Sequence, residues 1–235
     1  MEENSFVYSD ERFADIQLLR YRLGGFDNLT LQQKKYIYYL SEATLVGRDI
    51  TADQFGKYNL PIRRLLEAVY VSDVVDKSSS DYEGLTVYLK RLWFSNGIHH
   101  HYGSEKFIPE FSESWLRNAV GCLQAHQVPL SGCSSVNELL DTLCPVIFDP
   151  SIMPKRVNQA DGEDLVVTSA CNFYAGGVSQ AEAEAFYAKL KAQETGDELP
   201  SYGLNSRLVK RNQVLQEETY KVGGRYNDAI RQIVY

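Results

Sequence analysis

Tyr202-Gly203-Leu204-Asn205-Ser206-Arg207-Leu208-Val209 and Val214-Leu215-Gln216-Glu217-Glu218-Thr219-Tyr220-Lys221-Val222 flank the polar insert Lys210-Arg211-Asn212-Gln213. Each flank is about half apolar, the composition of a strand with one wetted face. The insert suits a tight turn, so the stretch reads as a β-hairpin. This decides the fold class, because most of what precedes it is helical in pattern. The chain is expected to be α+β, with a mainly helical segment over 1–153 and a mixed one over 154–235.

Working back from the hairpin, Ser179-x-x-Glu182 opens a helix with Ala185, Phe186 and Leu190 inward, ended by Thr195-Gly196-Asp197. The β-branched run Leu165 to Cys171 reads as a strand, broken at Gly176-Gly177. Capping boxes, in which two side chains satisfy each other's exposed backbone donors, are expected at Thr30-x-x-Gln33 and Ser135-x-x-Glu138. The first opens a helix with Ile37, Leu40, Thr44 and Leu45 on one stripe and its end at Gly47. Pro61 stands at an allowed first-turn position. After the polar linker Lys77 to Ser80, Asp81 caps a helix from Tyr82 to about Phe94, which ends at Asn96-Gly97. Ser112 caps another. At the N-terminus, Phe13, Ile16 and Leu19 recur at helical spacing behind a cap at Asp10, with Gly24-Gly25 as the stop. Downstream of the hairpin, Tyr226, Ile230, Ile233 and Val234 form a last helical stripe.

The 235 residues fit one large or two small domains and are enough to bury a core without disulfides or metal. An apolar share of 44% and a charged share of 23% are ordinary globular usage, which argues against disorder. The net charge of −7 argues against a nucleic-acid binder, which needs a basic stripe to displace phosphate counterions. Cys122, Cys133, Cys144 and Cys171 include no Cys-x-x-Cys pair and read mainly as buried small hydrophobes of a reducing compartment. The acidic start lacks the basic and apolar regions of a signal peptide, and no apolar run is long enough to span a bilayer. A cytoplasmic protein is therefore expected, the alternative being an exported form whose leader has been removed.

Three consecutive histidines, His99-His100-His101, lie in the loop Asn96 to Phe107, and one other, His126, occurs elsewhere. Zinc hydrolases of the helical kind place two histidines four apart with a glutamate between them, so that both rings reach one ion. Adjacent histidines in an extended loop alternate sides, which leaves His99 and His101 on one side and selects no third ligand. No Gly-x-Ser-x-Gly elbow, dinucleotide fingerprint or phosphate loop occurs. Cys122 and His126, spaced i, i+4, read as a buried cysteine beneath a surface histidine. The remaining candidate role for the histidine loop is recognition of a peptide or small polar ligand, set against a packed corner with satisfied histidines.

Three stretches carry a family resemblance. The helix Gln33-Lys34-Lys35-Tyr36-Ile37-Tyr38-Tyr39-Leu40-Ser41-Glu42-Ala43 is one. The loop with Gly97, Tyr102-Gly103, Lys106-Phe107 and Pro109 is the second. The third is Asn172-Phe173-Tyr174-Ala175-Gly176-Gly177, followed by Tyr202 and Asn205-Ser206-Arg207-Leu208. In this order they resemble the early part of the dipeptidyl peptidase III family, closest to its bacterial members. These zinc exopeptidases release dipeptides from peptide N-termini.

The resemblance implies a two-lobed peptidase whose zinc is held by a His-Glu-x-x-Gly-His type helix and a later glutamate in the other lobe. This chain contains no His-Glu dipeptide, so the resemblance implies no catalytic residue and no metal ligand within it. It implies instead a substrate-binding lobe, an N-terminal portion of a larger enzyme, whose strands contribute to a small β-barrel-type sheet. His101 and Tyr102 are its implied substrate-binding residues. The implied partners are an oligopeptide and the catalytic lobe, with neither nucleic acid nor membrane. The alternatives are a stand-alone interaction domain and a metal-binding module centred on His99 and His101.

Overall fold

The computed structural model describes residues 6–193 and 201–234 and divides the chain into two units, Met1–Leu45 and Val46–Tyr235. In the first unit, β1 (Ser9–Phe13) and β2 (Ile16–Leu19) form an antiparallel hairpin where the periodicity predicts a helix. Phe13 pairs with Ile16 directly across the turn, and both are buried. An i, i+3 spacing thus brings two apolar side chains together through a hairpin as well as through a helix. Ala14 takes the left-handed conformation (φ 48°) at the turn, a demand its side chain does not advertise.

Helix α1 (Leu31–Phe55) starts at the expected capping box, with Thr30 N–H donating to Gln33 Oε1 at 2.9 Å and Gln33 N–H to Thr30 Oγ1 at 3.3 Å. It runs through Gly47 rather than stopping there. Its expected stripe is not a core face: Ile37, Leu40 and Leu45 are all exposed.

The second unit holds the main core. It is built by α2 (Asn59–Val71), α3 (Ser80–Ser95), α4 (Glu113–Cys122) and α5 (Val136–Phe148). Leu65, Leu66, Leu85, Leu89, Leu116, Leu139 and Ile147 are essentially fully buried there. Each such side chain contributes about 1.5–3 kcal/mol relative to exposure. Local chemistry places the helices. Ser79, one step from the expected linker end, caps α3 by accepting from Tyr82 N–H at 3.2 Å. Asp81 instead accepts from Ser112 N–H at 2.8 Å, which ties the start of α3 to the cap of α4. Ser112 caps α4 and Ser135 caps α5 as expected. The glutamate's return bond at α5 goes to Ser134 N–H (2.7 Å) rather than to Ser135. At Gly84 a Cβ would stand 3.1 Å from the Glu110 carbonyl carbon, so glycine lets that backbone lie against α3.

The run from Leu165 is not a strand. Residues Leu165–Thr168 form the one-turn helix α6, because Asp164 accepts from Val166 N–H (3.0 Å) and Val167 N–H (2.9 Å). The same carboxylate accepts from Gln180 N–H (2.9 Å) at the start of α7 (Gln180–Ala192). One aspartate therefore serves two helix starts. Ser179 and Glu182 form the expected box. The helix stop expected at Thr195-Gly196-Asp197 lies outside the described residues.

The hairpin is present as β3 (Ser206–Arg211) and β4 (Val214–Thr219), paired in unbroken register from Ser206↔Thr219 to Arg211↔Val214. Asn212 and Gln213 both have positive φ (49° and 65°), the type I′ geometry that matches strand twist. A small core of Val178, Ala183 and Leu208, with Phe186 and Leu215 against it, joins α7 to this hairpin. The chain is α+β. Its two antiparallel sheets are two-stranded and separate, so the barrel-type sheet is not closed among the described residues. Helix α8 (Asn227–Val234) supplies the expected last stripe, and its Ile233 packs against Gly47.

Candidate functional site

The histidine loop begins where α3 ends. Asn96 takes the left-handed conformation (φ 55°), as the Asn-Gly pair predicts. Behind it, the buried Asn59 side chain donates to Ala52 O at 3.0 Å and accepts from Ile98 N–H at 3.3 Å. The loop is then laced to itself: Phe107 N–H reaches Ile98 O at 2.8 Å and His100 N–H reaches Glu105 O at 2.7 Å. A second strip fastens it from outside. Lys106 N–H donates to Pro154 O at 3.1 Å, Arg156 N–H to Ser104 O at 2.9 Å, and Arg156 Nη2 to His101 O at 3.0 Å. Lys106 Nζ is turned inward onto Ile152 O at 2.9 Å and onto the carbonyl of Asp149, the residue that caps the C-terminus of α5, where a cation is favoured.

The three histidines have three different environments. His99 is 2% exposed and its Nε2 lies 2.8 Å from Met153 O, so Nε2 carries the proton. Burial pushes its pKa down to about 4, against the weaker upward pull of that hydrogen bond. His100 Nδ1 accepts from Tyr102 N–H (3.2 Å) and Gly103 N–H (3.0 Å) and so organises the turn. His101 stacks on His100 with ring centroids 4.5 Å apart and meets Phe94 edge-on at 4.9 Å. The expected alternation of sides fails because residues 101–103 form a turn rather than extended chain. His99 faces the interior and His101 joins its neighbour instead.

His101 and Tyr102 are brought together, with ring centroids 4.4 Å apart. Tyr102 is 87% exposed, while Ile98, His99 and Phe107 of the same loop are buried. The arrangement is an aromatic and imidazole surface held on a fixed base, suited to recognition and hydrogen bonding.

The Cys122–His126 pair is not realised as a helical one. Helix α4 ends at Cys122, which is exposed rather than buried, and His126 sits in a separate 3₁₀ turn, Ala125–Gln127. Of the four cysteines only Cys144 is buried, which corrects the expectation that they mainly fill cores. Burial raises the Cys144 pKa to about 11, leaving an unreactive thiol.

A polar cluster elsewhere in the second unit had no sequence signal. Asp53, buried near the end of α1, accepts from Arg225 Nη2 at 2.5 Å, from Asn172 Nδ2 at 3.3 Å and from the Tyr226 hydroxyl. Asn172 Oδ1 in turn accepts from Arg207 Nη2 at 2.6 Å. Its members come from positions as far as 173 residues apart. Asn172 and Arg207 belong to segments already singled out above, but their meeting at Asp53 is a tertiary fact.

No group of three His, Cys, Asp or Glu side chains among the described residues is arranged to hold a metal ion. No helix among the described residues is long and apolar enough to cross a membrane. No family model and no curated protein matches the chain.

Proposed function

We propose that this chain is the substrate-binding lobe of a zinc-dependent dipeptidyl peptidase acting on oligopeptides in the cytoplasm. The observation that carries the proposal is the exposure of Tyr102 on a loop whose flanking residues are buried and whose backbone is pinned at both ends. Recognition residues on a rigid base lose little entropy on binding, and positioning of this kind can be worth several kcal/mol of a reaction barrier. The ordered resemblance of the helix, the loop and the Asn172 to Leu208 stretches supports the same reading.

In this proposal the peptide's N-terminal residues lie against Tyr102 and His101. In this reading the zinc ligands and the catalytic base belong to a lobe outside these 235 residues, which contain no His-Glu dipeptide. The strands of the second unit contribute, in this reading, to a small β-barrel-type sheet of the substrate-binding lobe. This chain alone is inactive. In the two-lobed enzyme, Tyr102→Ala raises KM for dipeptidyl substrates while zinc content is unchanged. A KM equal to that of the unaltered enzyme contradicts the proposal.

A further inference from the structure

Arg207 lies half-buried on β3 without a carboxylate partner. Its Nη2 donates only to neutral acceptors, Asn172 Oδ1 at 2.6 Å and Tyr174 O at 3.4 Å. The nearby carboxylate, Asp53, is taken up by Arg225, Tyr226 and Asn172. Two guanidinium groups thus share one carboxylate; the Arg207 pKa is lowered by burial first and by Arg225 second, against a weaker upward pull from Asp53. A guanidinium partly removed from water with only a shared counter-ion is costly, and the cost is relieved by a further anion.

Arg207 lines a cavity of about 190 Å³ that runs past Cys171 and Asn172 to Gly176 and Gly177. Lys57 lines it too, and no aspartate or glutamate does. A Cβ at either glycine would meet nothing within 4 Å, so the backbone there is open to an incoming group. The volume suits a group of a few heavy atoms. The α7 start nearby is already satisfied by Ser179 and Asp164, so the positive character of the cavity comes from the two side chains.

We infer that this cavity is a binding site for a small oxyanion, a carboxylate or a phosphate, held between Arg207 and Lys57. Its lining includes neither His101 nor Tyr102, and its assignment does not depend on the peptidase proposal. The test is titration of the 235-residue chain with inorganic phosphate and, in a second arm, with succinate, at constant ionic strength in chloride. Amide shifts of Gly176 and Gly177 are the readout. Saturable shifts in the millimolar range are expected. The tighter of the two anions names the source. Lys57→Met, a change at an exposed side chain, should weaken binding about tenfold. Arg207→Gln should weaken it at least as much, and Lys35→Met, in the other unit, should leave it unchanged. If Arg207→Gln does not fold, Lys57→Met decides. Absence of saturable shifts, or equal affinity in Lys57→Met, overturns the inference.

Discussion

His99 donates its Nε2 proton to the main-chain oxygen of Met153 at 2.8 Å, joining positions 54 residues apart. The bond holds the base of the histidine loop to the strip that braces it. It also makes the loop's stability depend on pH. Burial lowers the folded-state pKa of His99 to about 4 from an ordinary value of 6.5. The unfolded chain therefore binds the extra proton more readily between these values, and stability rises with pH there. The contribution is complete above about pH 6.5 and is lost as pH falls toward 4. The full loss is about 3 kcal/mol. Urea unfolding at pH 7, 6 and 5 should show this slope, and His99→Gln should lack it.

Asn59 and Gly97 are expected to be energetically coupled. A Cβ at Gly97 would stand 2.2 Å from Asn59 Nδ2, and φ there is +158°. Gly97→Ala therefore displaces the amide that holds Ala52 O and Ile98 N–H. Asn59→Ala leaves both groups buried without that partner, at a cost of about 2–3 kcal/mol. In the double variant the clash has no target, so the combined loss should be smaller than the sum of the single losses. Denaturant midpoints of the four proteins check this, and strict additivity would contradict the coupling.

Asp53 sets a different cost. Asp53→Ala strands the Arg225 guanidinium, which is partly shielded from water (28% side-chain exposure). Breaking one side of a buried pair is worth about 3–5 kcal/mol, reduced here to about 2 kcal/mol by the remaining solvent. The pair Asp53→Ala with Arg225→Met should be more stable than Asp53→Ala alone. Thermal unfolding of both variants decides, and equal midpoints would remove the ion pair from the cluster's energetics.

What was legible in the sequence was chemistry that acts within a few residues. The caps at Thr30, Ser112, Ser135 and Ser179 and the Asn96-Gly97 stop are each read by the backbone they adjoin. The β3–β4 hairpin was legible for the same reason, although its type I′ turn uses Asn212-Gln213 rather than a glycine. Apolar spacing misled where two structures satisfy it, as with Phe13 and Ile16. β-Branching misled at Leu165, where the Asp164 cap outweighs a strand propensity worth less than about 1 kcal/mol per residue. The sequence pointed to the loop carrying His101 and Tyr102. It could not show which imidazole turns inward, because that depends on Met153 and Arg156 arriving from another segment. The Asp53 cluster was illegible altogether, since its partners meet only after the chain has folded.

In the proposed lobe the loop around Tyr102 receives the N-terminal residues of a peptide. The most direct measurement is the amide spectrum of the 235-residue chain titrated with an unblocked tetrapeptide and, separately, with its N-acetylated form. Shifts centred on His101, Tyr102 and Gly103 are expected with the free peptide, reduced with the blocked form and abolished by Tyr102→Ala. Shifts that leave these three residues untouched, or binding unchanged in Tyr102→Ala, would contradict it.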